Sequence, residues 1–162
     1  MIAPFEYAPP LDDFLQALKF GHARSLGRAL ALLVAPVIDA RGGDAASADV
    51  LVPVPLHRRR LRSRGYNQAM EIARTLSATL RIPLDAGTAR RIGAAAPQSL
   101  LPARERAANV ANAFEVRADL TGLRVAIVDD VITTGATINA LAAALIRAGA
   151  ERVEAWAVAR AL

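Results

Sequence analysis

Residues 125–138, which read VAIVDDVITTGATI, carry the residue types most suited to chemistry. Four apolar residues predict a buried parallel strand, and Asp129 and Asp130 stand where we expect that strand to end. Because adjacent side chains of an extended chain point to opposite sides, only one of these carboxylates can easily face inward. The pattern therefore predicts paired carboxylates at the end of a central strand.

The residues that follow predict an anion-binding turn at the start of a helix, which we expect over residues 138–148. Unpaired N–H groups and the positive end of the helix dipole both favour a phosphate there. Carboxylates beside a phosphate would repel it unless they bind sugar hydroxyls or a divalent cation, so the stretch predicts a phosphorylated-sugar site. An ordinary strand and helix with capping threonines is the alternative, but it does not explain the paired acids. The turn consists of Thr133, Thr134, Gly135, Ala136 and Thr137.

This stretch resembles the phosphoribosyl pyrophosphate signature of type I phosphoribosyltransferases. The resemblance implies that Asp129 and Asp130 are catalytic residues that contact the ribose 2′- and 3′-hydroxyls, and that residues 133–137 bind the 5′-phosphate. It also implies displacement of pyrophosphate from C1 through an oxocarbenium-like state, with Mg²⁺ held indirectly by the same two acids. Positioning and charge stabilisation would then supply most of the catalysis.

A second segment, VPVPLHRRRLRSRGYNQA, joins an expected strand over residues 50–54 to five arginines between residues 58 and 64. Pro53 predicts an irregular strand end. Ligands of open α/β sheets bind where strands end, so the arginines predict a pyrophosphate site, with a solvated charged surface as the alternative. The segment resembles the ComF family, phosphoribosyltransferase-like proteins linked to bacterial competence and DNA uptake. That resemblance implies substrate contacts from Leu56, His57, Arg58 and Arg64, and its pattern also includes Gly65, Asn67 and Gln68.

His57 has two interpretations, a general acid or an ordinary surface histidine beside arginines. A third block resembles the ComF-type pattern through Gln98, Leu101, Arg106, Asn109, Ala113 and Phe114, and it implies substrate contacts from Gln98 and Arg106. An exposed helix face is the alternative for Arg106 and Asn109. Ala95 replaces the usual threonine, so one hydroxyl contact is missing, and Thr133 replaces the acid of purine-salvage relatives, which disfavours a hypoxanthine-type acceptor.

Alternating strands and helices predict an α/β fold with a mainly parallel sheet flanked by helices. The resemblance implies a type I phosphoribosyltransferase-like architecture with N-terminal helices and a small hood with a flexible loop. We expect a single domain over residues 1–162, with a helical lead-in (1–49) and a phosphoribosyl pyrophosphate-binding core (50–162). Further helices are expected at 11–20, 24–38, 66–80 and 104–113, strands within 82–92 and at 153–159, and a poorly ordered, proline-rich start over residues 1–10.

The composition limits the possible compartments and partners. The chain has no cysteine, which excludes disulfides and thiolate zinc sites within it. ComF-like chains often begin with a cysteine-based zinc module, so this sequence either lacks that module or begins after it. It has no apolar run of the roughly 20 residues that a membrane span needs, and its start does not resemble a secretory signal. We therefore expect a cytoplasmic protein without a membrane span.

The net charge is +5, and all but one of the 20 basic residues are arginine. Arginine binds phosphate in a bidentate manner, so this surface suits polyanions, although genome composition could produce the same bias. Two alternatives to an enzyme follow: a protein that handles single-stranded DNA through Arg58, Arg59, Arg60, Arg62 and Arg64, or a non-catalytic phosphoribosyl pyrophosphate sensor. An aromatic content of only 4% argues mildly against base stacking.

Overall fold

The computed structural model describes residues 1–21, 23–41, 48–92 and 113–161. In these ranges the helices are α1 (Leu11–Phe20), α2 (Arg24–Ala40), α3 (Arg58–Arg64), α4 (Gln68–Leu80) and α5 (Ala136–Arg147). The strands are β1 (Phe5–Glu6), β2 (Val50–Pro53), β3 (Ala89–Arg91), β4 (Phe114–Val116), β5 (Arg124–Ile132) and β6 (Arg152–Arg160).

Four of these strands form a parallel sheet in the order β1–β6–β5–β2, and β3 and β4 form a separate antiparallel pair. Helices α1, α2 and α4 cover one face of the sheet, where Trp156 is fully buried. Helix α5 and the β3–β4 pair cover the other face. A parallel sheet needs both faces covered, which explains the continuous apolar runs in β5 and β6. The predicted α/β fold is confirmed.

The first residues of the chain belong to the sheet, so the prediction of a poorly ordered start was wrong. Strand β1 pairs with β6, and Ile2 exchanges backbone hydrogen bonds with Ala155 and Ala157 at 2.8 and 2.9 Å. Prolines at a sheet edge remove few of the hydrogen bonds that a strand needs. The edge pairing satisfies backbone groups that the sequence pattern alone leaves unassigned.

Strand β5 continues through the acidic pair to Ile132, so the prediction that it ends at Asp129 and Asp130 was also wrong. Its partner β6 is equally long, and their register extends to Ile132 opposite Arg160. The arginine-rich segment after β2 forms the short helix α3, which the sequence analysis did not predict. The loop and helix expected at 93–113 lie almost wholly outside the described residues, and the division at residue 49 stays a prediction.

None of the helices in the described ranges has the length and apolarity that a membrane crossing requires. The helical stripes face the sheet instead. In α2, for example, Leu30, Val34 and Ile38 are buried one turn apart, while Leu33 is exposed.

A carboxylate–guanidinium pair joins the start of β2 to the start of β5. The carboxylate of Asp49 accepts hydrogen bonds from the backbone N–H of Arg124 at 2.8 Å and from its Nε and Nη2 at 3.1 and 2.8 Å. These hydrogen bonds lower the pKa of Asp49 from 3.8 to about 2. Asp49 therefore stabilises the fold fully above pH 3.8, and this contribution is lost as the pH falls through about 2.

We expect Asp49→Asn to lower the melting temperature at pH 7, because the amide loses the charge that Arg124 binds. The deficit should shrink between pH 4 and 2, as the wild-type carboxylate itself becomes protonated. Thermal unfolding followed by circular dichroism across this range measures the effect. Glu151→Gln, at an exposed turn residue, is the matched control. A deficit that stays constant down to pH 2 would contradict the assignment.

Candidate functional site

The parallel pairing of β2 with β5 brings two distant segments together. Val52 is opposite Ile127 and Pro53 is opposite Val128, and the N–H of Val54 donates to the Val128 carbonyl at 2.9 Å. The carboxyl ends of parallel strands share one edge of the sheet, so the residues after Pro53 lie beside the acidic pair. The candidate site is built at this edge.

Backbone amides of β5 and one lysine hold the two carboxylates. The N–H of Asp130 donates to Oδ1 of Asp129, and the N–H of Val131 donates to Oδ1 of Asp130, both at 2.9 Å. The other oxygen of Asp130, Oδ2, forms an ion pair at 2.9 Å with Nζ of Lys19 in α1. Asp130 is thus the more buried and more fully partnered acid, while Asp129 keeps some exposure.

The surroundings of Asp129 shift the pKa of its carboxyl group. Removal of its carboxyl group from water, followed by the negative charge of Asp130, raises the pKa of Asp129 well above its ordinary value. The N–H of Asp130 and the charge of Lys19 act in the opposite direction. A carboxyl group in this position gains from any hydroxyl donor or cation that a ligand brings close to it.

The turn after β5 has the geometry expected for the start of a helix. Gly135 is the N-cap of α5 and adopts φ +75°, a left-handed conformation that favours glycine. The N–H of Ala136 donates to Oγ1 of Thr134 at 3.4 Å, and Thr133, Thr134 and Ala136 are exposed. The first turn of a helix leaves N–H groups without intrahelical partners, so the turn can bind an anion.

A cavity of about 200 Å³, which we call the acid-pair cavity, opens beside Asp129 and Asp130. Thr137 contributes to its lining from α5, and six side chains with hydrogen-bond donors contribute as well. The donors are Lys19, Arg60, Arg64, Asn67, Gln68 and Arg91. Two carboxylates and four cationic side chains thus line one space that fits a small polar molecule.

A second cavity of about 430 Å³, which we call the arginine cavity, adjoins the first and shares Leu56 and Arg91 with it. Its cationic lining comes from Arg58, Arg90, Arg91 and Arg117, and His57 also contributes. Glu115, the acidic residue of this lining, is paired with Arg117 at 2.9 Å. The excess of guanidinium groups makes this cavity suitable for an anion.

The turn between α3 and α4 is anchored to the end of β2. Asn67 caps α4 by accepting from the N–H of Ala69 at 3.1 Å, and its Nδ2 donates to the carbonyl of Val54 at 2.9 Å. Gly65 ends α3 with φ +77°. A capping side chain that also binds the end of β2 fixes α4 to the edge of the sheet.

His57 acts as a helix cap in this structure. Its Nδ1 accepts a hydrogen bond from the N–H of Arg59 at 3.2 Å, so it is the N-cap of α3. With Nδ1 as an acceptor, a neutral imidazole carries its proton on Nε2. This contact gives His57 a structural role as a helix cap, in addition to the two interpretations that its sequence context allows.

Arg91 joins the two cavities electrostatically. Burial lowers its pKa first, and the neighbouring charge of Arg60 lowers it further, while Asp129 acts in the opposite direction. The Nε atom of Arg91 is buried without a hydrogen-bond partner among the described residues. An anion placed between Arg60 and Arg91 would accept a hydrogen bond from this Nε and would offset the repulsion between the two guanidinium groups.

The structure brings most of the predicted residues together, in two groups. Asp129, Asp130, Thr137, Leu56 and Arg64 line the acid-pair cavity, and Leu56, His57 and Arg58 line the arginine cavity. Thr133, Thr134, Gly135 and Ala136 form the adjoining turn without lining either cavity. Gln98 and Arg106 lie outside the described residues.

Two cationic residues of the lining, Lys19 and Arg91, had no predicted role in a sugar-phosphate pocket. Arg60 belongs to the arginine run, so the sequence marks it as a candidate anion-binding residue. Only helix α3 shows that its side chain lies in the lining of the acid-pair cavity. Lys19 is far from the motif along the chain, and no local pattern marks it. Only the packing of α1 against the sheet places it beside Asp130.

The acidic pair can assist Mg²⁺ but does not form a complete site for it. Among the described residues, no group of three or more histidine, cysteine or acidic side chains is arranged to hold a metal ion. Mg²⁺ requires six oxygen ligands and often takes several from water and substrate phosphates. The residues present therefore fit a metal that is bound mainly through a phosphorylated ligand, with Asp129 nearby.

Comparison with known sequences identifies the family. The sequence model described as the phosphoribosyl transferase domain matches residues 47–161. The chain belongs to this family. The match to the phosphoribosyltransferase domain begins just before β2. It includes the acid pair, the Gly135 turn and the arginines of α3 and β3, but not α1 or α2.

Two named relatives cover this phosphoribosyltransferase-domain chain from end to end. The DNA utilization protein YhgH of Escherichia coli (strain K12) is 37% identical over 100% of this chain and 72% of its own length. Competence protein F of Haemophilus influenzae is 37% identical over 99% of this chain and 72% of its own length. These matches confirm the resemblance to competence-type phosphoribosyltransferase-like proteins.

A solved structure shows the same architecture. The crystal structure of TT1426 from Thermus thermophilus aligns with a TM-score of 0.50 at 19% identity, over 84% of this chain and 83% of that one. At this identity the likeness concerns the fold alone.

We expect Gly135→Ala to lower the free energy of unfolding by about 1–2 kcal/mol, because an L side chain is strained at positive φ. Space is not the obstacle, since an added Cβ would meet only Nδ2 of Asn139 at 3.8 Å. Chemical denaturation measures the loss. Gly87→Ala is the control, because Gly87 has no positive φ and its Cβ would meet nothing closer than 3.9 Å. Equal losses at the two positions would contradict a special role for the Gly135 conformation.

Proposed function

We propose that the protein binds phosphoribosyl pyrophosphate with Mg²⁺ and transfers ribose 5-phosphate to an acceptor, releasing pyrophosphate. The observation that carries this proposal is the meeting of an acid pair and an arginine-rich cavity at one sheet edge, next to a helix N-terminus. Hydroxyl groups suit carboxylates, and phosphates suit guanidinium groups and helix N-termini. A phosphorylated ribose carries both kinds of group.

In this proposal the ribose hydroxyls bind at the acid pair. Asp129 has the less committed carboxylate, because Asp130 is engaged by Lys19 and by the N–H of Val131. The 5′-phosphate binds the turn of Thr133, Thr134, Gly135, Ala136 and Thr137. The left-handed conformation of Gly135 and the position of this turn at the N-terminus of α5 support this placement.

The pyrophosphate group binds in the arginine cavity. Leu56, His57 and Arg58 follow β2 there, and Arg91 extends from β3 to face both cavities. Arg64 is held by its hydrogen bond to Oε1 of Gln68 at 3.2 Å, so it lies preorganised in the lining of the acid-pair cavity. Gln98 and Arg106 keep their proposed ligand contacts, which the described residues do not test.

Transfer of the ribosyl group develops positive charge at C1 and negative charge on the leaving pyrophosphate. The carboxylates lie on the side where positive charge would be stabilised, and the guanidinium groups lie where the leaving group would depart. Mg²⁺, bound through ligand oxygens, would supply additional neutralisation of the pyrophosphate. The protein contributes fixed positions and fixed charges, and it needs no covalent intermediate.

A second candidate function rests on the arginines of α3. Arg59 and Arg62 are exposed and line neither the acid-pair cavity nor the arginine cavity. Relatives of the chain are named for DNA utilization and competence. We infer from these two facts that the outer side of α3 can contact the phosphates of single-stranded DNA. A protein that senses phosphoribosyl pyrophosphate without turnover is the remaining alternative.

We expect phosphoribosyl pyrophosphate with Mg²⁺ to raise the melting temperature, by about 5–10 °C at a ligand concentration 100 times the Kd. Asp129→Asn should remove most of this shift, because the amide cannot provide a second acceptor oxygen with negative charge. Differential scanning fluorimetry measures the shift. Asp13→Asn, at an exposed acid in α1, should leave it unchanged. An undiminished shift in Asp129→Asn would remove the acid pair from the site.

Pyrophosphate release with a panel of amines and bases distinguishes the enzyme from the sensor. Release that depends on an acceptor and disappears in Asp129→Asn supports transfer. Intact ligand-induced stabilisation with no pyrophosphate across the panel supports the sensor instead.

For the DNA candidate, the logarithm of affinity for a single strand should fall by about 0.7 per contacted phosphate for each decade of salt. The double variant Arg59→Ala, Arg62→Ala should therefore reduce this slope by about 1.4 while leaving the ligand-induced melting shift intact. Fluorescence anisotropy with labelled oligonucleotides between 50 and 300 mM salt, on the order of the physiological range, measures the slope. The matched variant Arg60→Ala, Arg64→Ala should impair the melting shift. A flat salt response in the wild type would exclude this mode of binding.

A further inference from the structure

Lys19 is the one lysine of the chain, and it contacts the acid pair from outside the family match. It lies in the last turn of α1, with its Nζ 2.9 Å from Oδ2 of Asp130. The ring of Tyr7 lies 5.9 Å from the same ammonium group. The Lys19 side chain is 21% exposed and that of Asp130 is 11% exposed, so their ion pair lies at the wall of the acid-pair cavity rather than in bulk solvent.

Helix α1 is firmly attached to the parts of the protein that build this cavity. Leu15 and Leu18 are fully buried in the core on that face of the sheet. The hydroxyl of Tyr66 donates a hydrogen bond to the carbonyl of Leu18, one residue before Lys19. The guanidinium of Arg64 stacks on the ring of Phe20 at 5.0 Å, one residue after it. These contacts hold the lysine in place from both sides along the chain.

The ion pair removes an electrostatic conflict. Two adjacent carboxylates repel each other and would repel a ligand that carries several phosphate charges. Among the described residues, the cationic side chains of the cavity lining are Lys19, Arg60, Arg64 and Arg91, and only Lys19 forms an ion pair with either acid. A fixed ammonium group thus cancels one of the two negative charges before any ligand or metal arrives.

We propose that Lys19 is a positioning residue of the sugar-phosphate site, a fixed cation supplied by α1 that neutralises Asp130 and allows a polyanionic ligand to bind beside the acid pair. The inference rests on the proposed function of that site. It makes the N-terminal helix a component of the site, although α1 lies outside the residues that match the family. It also implies that Lys19 and Mg²⁺ share the task of neutralising charge.

A purely structural role is the alternative, in which the pair only fastens α1 to the sheet. A buried ion pair that loses one partner destabilises a protein whatever the ligand does. The two roles differ in what happens to ligand affinity at a temperature where every variant is folded. They differ also in whether Mg²⁺ can compensate for the missing charge.

The experiment measures the Kd of ribose 5-phosphate by isothermal titration calorimetry, with Mg²⁺ and with EDTA. The variants are Lys19→Met, Lys19→Gln and Lys19→Arg, and Gln16→Ala at an exposed position of α1 is the control. Lys19→Gln keeps a hydrogen-bond donor for Asp130 without charge, so it tests the proposal even if Lys19→Met fails to fold. Circular dichroism confirms folding at the titration temperature.

We expect Lys19→Gln and Lys19→Met to weaken binding about tenfold in EDTA, because one unit of negative charge near the ligand is no longer neutralised. Mg²⁺ should recover a large part of this loss, Lys19→Arg should restore affinity, and Gln16→Ala should bind like the wild type. The double variant Lys19→Gln, Asp130→Asn removes both charges of the ion pair, so it should recover much of the affinity that Lys19→Gln alone loses.

The outcomes separate the two proposals. If the wild type does not bind ribose 5-phosphate in either condition, the proposed function fails and this inference fails with it. If the wild type binds and the Lys19 variants bind equally well in both conditions, the proposed function stands and the role of Lys19 is overturned. Lower melting temperatures with unchanged Kd values would assign the ion pair to stability alone.

Discussion

The candidate site depends on the parallel alignment of β2 with β5. Their register places Pro53 opposite Val128, so the chain leaves both strands at the same edge of the sheet. One strand is followed by arginines and the other carries the acids. If β2 were displaced by one residue, its inward and outward side chains would exchange faces, and the arginine segment would leave β2 in a different position. The Asp49–Arg124 pair fixes this register at the opposite end of the two strands.

Acidic and basic side chains lie together at this edge of the sheet. Two carboxylates that would repel each other are held by backbone N–H groups and by Lys19, and guanidinium groups face them across the cavity. This arrangement has a free-energy cost in the protein alone, because Asp129 and Asp130 repel each other and Arg60 and Arg91 repel each other. A ligand with hydroxyls at one end and phosphates at the other satisfies both sets. This is the physical reason for favouring a phosphorylated ribose over a simple anion.

The arginines of helix α3 lie on different sides of the helix and so have different surroundings. Arg60 and Arg64 line the acid-pair cavity, and Arg58 lines the arginine cavity. Arg59 and Arg62 remain on the outer surface. The enzymatic and DNA-binding proposals therefore use different residues of one short helix, so they do not exclude each other. The family match and the names of the relatives are compatible with both.

The sequence by itself predicted the α/β fold, which the structure confirms, and several of the residues that line the two cavities, because these follow from local patterns. An apolar run, an acid pair and a glycine turn are consecutive along the chain, and their spacing alone sets their relative positions. The limits of β5 and the ordered first residues depended on long-range strand pairing, which periodicity does not report. Helix α3 has seven residues and no buried ones, so no apolar stripe marks it in the sequence. Lys19 is the clearest case. It lies more than 100 residues from Asp130 along the chain, and only the packing of α1 against the sheet brings its ammonium group to that carboxylate.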